Sequence, residues 1–174
     1  LHCPYGFNKA KLIVREMADL LALDLVDKGL VTDQIVLTVG YDIENLNTAD
    51  KRKAYKGEVT TDYYGRKVPK HAHGTINLEQ KTSSTKDIVN AAMKLYDRIV
   101  NKDMFIRRAY IVANHVIDEK TVMKPAFEQL DLFTDYEALE KKEQEEKAAL
   151  DKEKKMQQAM LQIKKKFGKN AILK

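Results

Sequence analysis

Gln34-Ile35-Val36-Leu37-Thr38-Val39-Gly40-Tyr41 alternates in a way that fixes the architecture of this chain. Ile35, Leu37, Val39 and Tyr41 fall on one side, and Gln34, Val36, Thr38 and Gly40 on the other. That is the two-residue period of a strand with one buried and one open face. Upstream, Ala10, Ile13, Val14, Met17, Leu21 and Leu25 recur at three- and four-residue spacing, which predicts a helix from an Asn8 N-cap to a stop at Gly29. Before it, Leu1 to Cys3 reads as the end of a strand cut short by Pro4. Downstream, Gly74 to Gln80 gives a second strand, with Ile76 and Leu78 inward and Thr75, Asn77 and Glu79 outward. Ser84 with Asp87 three places on opens another helix, striped by Ile88, Ala91, Ala92, Leu95 and Ile99. Phe105 to Ile117 is the last strand. It is assigned with Ala109, Ile111 and Ala113 against the helices, and Arg108, Tyr110 and Asn114 outside. The order strand, helix, strand, strand, helix, strand (βαββαβ) makes an α+β domain over residues 1–118. Its four-stranded, antiparallel-rich sheet carries both helices on one face and leaves the other bare.

Residues Ile43 to Ala72 show no helical periodicity and read as a long polar connection, of the kind a compact domain keeps for binding. The basic balance is concentrated here. The whole chain is +5, and Lys51 to His73 alone holds 7 basic and 2 acidic residues. Lys51, Arg52, Lys53, Lys56, Arg66, Lys67 and Lys70 would border a bare sheet face offering Thr75, Asn77, Arg107 or Arg108, and Tyr110. Cations with short polar donors on a flat surface suit a phosphate backbone better than base edges. The bland alternative is a merely soluble basic surface. His71 and His73 share a strand face and can contact phosphate. A zinc site drawing in His2, Cys3 and His115 lacks a second clustered ligand pair and is not expected.

The charged share of the 174 residues, 33%, exceeds the usual quarter, and much of it lies in the tail. Residues 119–134 form a linker containing Gln129-Leu130-Asp131-Leu132-Phe133, where a polar anchor precedes two leucines and an aromatic that a shallow pocket can bury. Packing of these side chains back on the domain is the alternative. Residues 135–174 read as a charged helical or flexible tail, solvated in its first half. Met156, Met160, Ile163 and Phe167 make a short stripe that suits a partner or weak self-association. A single cysteine, Cys3, excludes an internal disulfide framework and fits a reducing cytosol. No apolar run approaches a membrane span, and Leu1 in place of an initiator methionine reads as a piece of a longer protein.

No strand-borne acidic cluster, phosphate-cradling glycine loop, His-Glu-x-x-His or Cys-x-x-Cys occurs, so no catalytic residue and no metal ligand is expected. Four features together resemble the C-terminal part of Y-family, lesion-bypass DNA polymerases. These are Thr61-Asp62-Tyr63-Tyr64-Gly65-Arg66-Lys67-Val68-Pro69-Lys70-His71-Ala72-His73-Gly74-Thr75, the Ile106-Arg107-Arg108 strand, the pentapeptide, and Ile163 to Ala171. The chain is most similar to the UmuC-like (ImpB/MucB/SamB) branch of Gram-positive type. The resemblance implies a non-catalytic little finger domain that lays its sheet on primer-template duplex DNA in DNA repair. Arg107 and Arg108 would match a basic strand pair, and Ser83, Ser84 and Thr85 a polar turn that meets phosphate. Gln129 to Phe133 resembles the motif that holds the sliding clamp, the DNA polymerase III beta subunit. The resemblance also implies a cytoplasmic, nucleoid-associated protein of bacteria, with no membrane partner and no cofactor in this fragment, magnesium belonging to the polymerase palm. The competing reading is an adaptor that binds a replication protein and carries its basic face incidentally. A third, RNA binding, lacks paired aromatics on neighbouring strands.

Overall fold

The computed structural model describes residues 1–122, 136–168 and 171. The chain forms α1 (Phe7–Lys28), β1 (Leu30–Tyr41), a 3-10 turn (Ile43–Leu46), α2 (Ala49–Ala54), a hairpin of β2 (Val59–Thr61) and β3 (Lys67–Pro69), β4 (Ala72–Thr82), α3 (Thr85–Ile99), β5 (Ile106–Asn114), β6 (Ile117–Asp118), α4 (Glu119–Val122) and α5 (Tyr136–Phe167). The central strand is β1, paired antiparallel with β4 on one edge and with β5 and then β6 on the other. The expected α+β architecture with a four-stranded antiparallel sheet is therefore present, and so is the C-terminal helix.

The membership of the sheet differs at one position. Leu1 to Cys3 form no strand, and the fourth strand is β6, on Leu30 and Val31. What remains of the N-terminal strand is a single bridge, in which Tyr5 and Ile106 exchange backbone bonds of 2.9 and 2.8 Å. That bridge sets the chain direction just before the helix, so α1 begins at Phe7 with Gly6 as its N-cap, and Asn8 lies inside the first turn. Its end at Gly29 is as the pattern predicts, with the Gly29 amide bonded back to Leu25 and Val26. In α3, the Ser84 hydroxyl accepts the Asp87 amide at 3.2 Å, the cap that the sequence announces.

Helices α1 and α3 cover the inner face of the sheet. Ile35, Leu37 and Val39 are fully buried beneath Val14, Ala18, Ala22, Ile88, Leu95 and Tyr96. Burial of each such aliphatic side chain contributes roughly 1.5–3 kcal/mol. The Tyr96 hydroxyl donates to the Phe7 carbonyl at 2.9 Å, tying α3 to the start of α1. The close approach of α3 to β4 depends on Gly74, since a Cβ there would lie 2.9 Å from Ile99 Cγ2. In β5, Ala109, Ile111 and Ala113 face the core and Arg108 and Tyr110 face away, the parity assigned above.

The expectation for the long polar connection is corrected. Residues 43–72 are not a structureless connection: they hold the 3-10 turn, α2 and the hairpin. Periodicity does not reveal α2 because none of its six residues is buried; its start is fixed by the Thr48 side chain, which accepts the Lys51 amide. The later part of α5 packs against the domain, and it does so through polar side chains. Gln157 is buried, at 3% exposure, against the start of α3. Lys154 pairs with Glu119 at 2.6 Å, and Lys165 with Asp27 at 2.5 Å. The stripe residues Met156, Ile163 and Phe167 stay exposed.

Candidate nucleic-acid interface

The outer face of the sheet is bare and polar. Reading across β4, β1 and β5, its rungs are Asn77-Gln34-Asn114, Thr75-Val36-Val112 and His73-Thr38-Tyr110, followed by Gly40-Arg108. The first rung is an amide ladder. The Gln34 amide nitrogen donates to Asn77 Oδ1, and the Asn114 amide nitrogen donates to Gln34 Oε1, each at 2.9 Å. In the third, Thr38 Oγ1 and His73 Nδ1 lie 2.8 Å apart. Tyr110 and Val112 remain about half exposed.

At one end of this face the pairing slips. Gly40 opposes Arg108 and Tyr41 opposes Ile106, which leaves Arg107 as the extra residue of a bulge. A bulge of this kind re-aims a side chain, and here Arg107 joins Arg108 in lining one basin instead of pointing to the opposite face. The bulge is pinned from outside the strand. The Asp42 amide donates to the Phe105 carbonyl at 2.9 Å, and Asn45 both donates to that carbonyl and accepts the Phe105 amide, each at 2.8 Å. Arg107 is held in turn by the His2 carbonyl at 3.2 Å and by the buried Asp42 carboxylate at 3.8 Å. Arg108 has no charged partner among the described residues and is exposed.

The basin, about 690 Å³, is lined by Tyr64 and Arg66 of the β2–β3 hairpin, by His71 and by Arg107, Arg108 and Tyr110 of β5. Asp62 organises the hairpin turn. Its Oδ1 accepts the amides of Tyr64 and Arg66, and its Oδ2 accepts two guanidinium N–H groups of Arg66, all between 2.7 and 2.9 Å. Those Arg66 bonds hold the Asp62 carboxyl below the usual aspartate range.

The cations singled out in the sequence are not equivalent. Arg66 is paired with Asp62, and Lys70 with Glu58 at 2.5 Å. Among the described residues Lys67 bonds to the Thr61 hydroxyl, at 3.1 Å, and Lys51 to the Glu44 carbonyl, at 3.3 Å, neither of them a charged partner. Arg52 and Lys53 project from α2, and Lys56 follows it, all exposed and without an ion pair among the described residues. His71 and His73 sit edge to face, 6.4 Å apart, at the basin end of β4, with Thr75 next on the same face. Among the described residues no three His, Cys, Asp or Glu side chains are placed to hold a metal ion.

Ser83, Ser84 and Thr85 lie elsewhere, at the opposite end of β4 from the basin. Several of their polar groups are occupied from within the chain. Glu153 of α5 accepts from the Ser84 hydroxyl at 2.9 Å and from the Lys86 amide at 3.1 Å, while Gln157 donates to the Ser83 carbonyl and the Thr85 hydroxyl. The structure thus separates this turn from the arginine basin. Nearby, Asp33 accepts from Lys81 and pairs with His115, both at 2.8 Å, and these contacts, that of Lys81 first, lower its pKa. Sequence reasoning missed Asp42, Asn45, Glu153 and Gln157, because the strand and helix patterns carry no signal for polar side chains that bridge distant segments. Gln129, Leu130, Asp131, Leu132 and Phe133 lie outside the described residues.

Compared with known protein families, residues 5–132 match the impB/mucB/samB family C-terminal domain. No curated protein matches the chain. Among the described residues, no helix is long and apolar enough to cross a membrane.

Proposed function

Since the chain belongs to the impB/mucB/samB family, as the C-terminal region of a UmuC-like Y-family polymerase, we propose that it holds the sugar-phosphate backbone of primer-template duplex DNA during lesion bypass. The observation that carries this reading is the Arg107 bulge, which puts two consecutive arginines on one basin beside a bare, polar sheet face. Adjacent strand residues ordinarily point to opposite faces. Spending a ladder position to bring both to the same side makes sense for a ligand with repeated negative charge.

Arg108, Lys67, Arg52, Lys53 and Lys56, unpaired with any described carboxylate, then meet phosphates first, and Thr75, His71 and His73 supply shorter donors along the face. Arg66 and Lys70 shape the hairpin through Asp62 and Glu58 and contribute less charge. The turn at Ser83 to Thr85 is a weaker contact, since Glu153 and Gln157 already engage the Ser84 and Thr85 hydroxyls. In this reading the chain has the holding role, and the magnesium-dependent chemistry belongs to the polymerase palm. The protein then works in the cytoplasm, at the nucleoid.

The pentapeptide Gln129 to Phe133 follows the domain and precedes α5, a position suited to a tether for the sliding clamp. Fluorescence anisotropy with labelled duplexes of unrelated sequence tests the DNA reading. Equal affinities support a backbone grip; strong preference for one sequence, or no binding, contradicts it.

A further inference from the structure

The tip of the β2–β3 hairpin exposes more aromatic surface than any fold requirement explains. Tyr63 is 94% and Tyr64 69% exposed, and their rings meet edge to face at 5.4 Å. A solvated loop tip ordinarily carries small polar residues and moves. This one is locked: besides the four Asp62 side-chain contacts, the Asp62 amide donates to the Arg66 carbonyl, the Gly65 amide donates to the Asp62 carbonyl, and Gly65 takes the positive φ of 76° that the turn needs. Two rings are therefore presented at little further entropic cost. Arg66 stacks over Tyr64, 5.1 Å from its centroid. Lys67 and Arg108 add positive charge near the tip and across the basin.

We propose that this hairpin tip is a stacking platform for unpaired bases, so that the domain binds a single-stranded stretch adjoining the duplex as well as the duplex itself. The inference rests on the DNA-holding reading and adds a second, distinct contact to it. Aromatic rings beside cations bind single strands because every base offers a flat face for stacking and every nucleotide a phosphate. Bases inside a duplex already stack on both sides, so along the duplex the rings can be used only by a base that has left the helix. The basin that Tyr64 lines has room for such a nucleotide, with Arg107, Arg108 and Tyr110 also in its lining. Stacking tolerates any base, in keeping with a backbone grip that ignores sequence. An exposed tyrosine pair is also a plausible anchor for a protein surface; the guanidinium stacked on the ring and the unpaired cations around it favour nucleic acid.

The test uses the full chain and two ligands, a blunt duplex and the same duplex with a ten-nucleotide single-stranded thymine extension, plus a version with 2-aminopurine in the extension. The extended duplex should bind about five-fold or more tightly than the blunt one, and 2-aminopurine fluorescence should fall on binding. Tyr63→Ala, which removes the exposed ring that does not line the basin, should erase most of both effects and leave blunt-duplex affinity and melting temperature unchanged, while Tyr63→Phe should preserve them. If wild-type protein binds blunt duplex but gains nothing from the extension, or if the alanine variant keeps the gain, the platform is overturned and a protein partner becomes the reading for the tyrosine pair. If wild-type protein binds neither ligand, the DNA-holding reading falls, and the platform with it.

Discussion

The carboxylate of Glu153 accepts a 2.9 Å hydrogen bond from the hydroxyl of Ser84, 69 residues earlier in the chain. Its other oxygen takes the Lys86 amide, so an acidic side chain from α5 closes the N-terminus of α3, where the helix dipole favours negative charge. Glu153→Ala should lower stability by about 1.5–3 kcal/mol, the range for hydrogen bonds to a charged group. Glu153→Gln, which keeps an acceptor but not the charge, should lose less. Urea denaturation of the three proteins measures the differences. An unchanged midpoint in the alanine variant would show that α5 does not dock in solution.

Gly74 sits where α3 comes closest to the sheet. Gly74→Ala should destabilise by roughly 1–3 kcal/mol, the cost of overpacking, because the new methyl meets Ile99 Cγ2 at 2.9 Å and Leu95 Cδ1 at 3.1 Å. Pairing it with Ile99→Leu, which has no methyl on Cβ and so removes the clashing Cγ2, should recover part of the loss. Thermal melts of the single and double variants report both effects.

Acid should spare the hairpin turn longer than an ordinary aspartate would allow. Asp62 is held below its usual pKa of 3.8, chiefly by the Arg66 side-chain bonds. A depressed folded-state pKa means that the stabilisation is fully present above the unfolded value and is lost as pH falls through the folded one. From pH 7 to about 4 the Tyr64 and Arg66 amide resonances should stay put, then shift at lower pH as the carboxylate protonates. Asp62→Ala should loosen the turn at neutral pH and make those amides exchange rapidly. Slow exchange in that variant would mean that Asp62 does not organise the tip.

The clamp tether is testable apart from the DNA contacts. Leu132→Ala with Phe133→Ala should abolish binding to the sliding clamp, which a short peptide achieves at roughly micromolar strength after its ordering cost. The melting temperature should not change. Unfolding of the variant would place those side chains in a core instead.

Apolar periodicity made the sheet legible. Ile35, Leu37 and Val39 are buried where the alternation puts them, and Ala109 and Ile111 give β5 its inner face. The Ser84 cap was equally plain, because its signature is local. Features made of polar side chains reaching across the chain left no such trace. Nothing in the residues around Gln157 announces that an amide on a charged helix will be buried, and nothing near Arg107 marks a bulge, which depends on Asn45 holding Phe105 from 60 positions away. The basic loop was read correctly as polar and charged. Charge counting could not tell Arg66 and Lys70, which have carboxylate partners, from Arg108 and Lys53, which have none among the described residues.

The backbone grip at the arginine basin is tested most directly by the salt dependence of duplex binding. Affinity should fall linearly in log-log form as salt rises, with a slope of about 0.9 per phosphate contacted, and should barely depend on sequence. Arg107→Ala with Arg108→Ala should weaken all duplexes alike and reduce that slope by about 1 to 2. A flat salt dependence in the wild type, or a slope that the double variant leaves untouched, would contradict the grip and favour an adaptor that binds a replication protein.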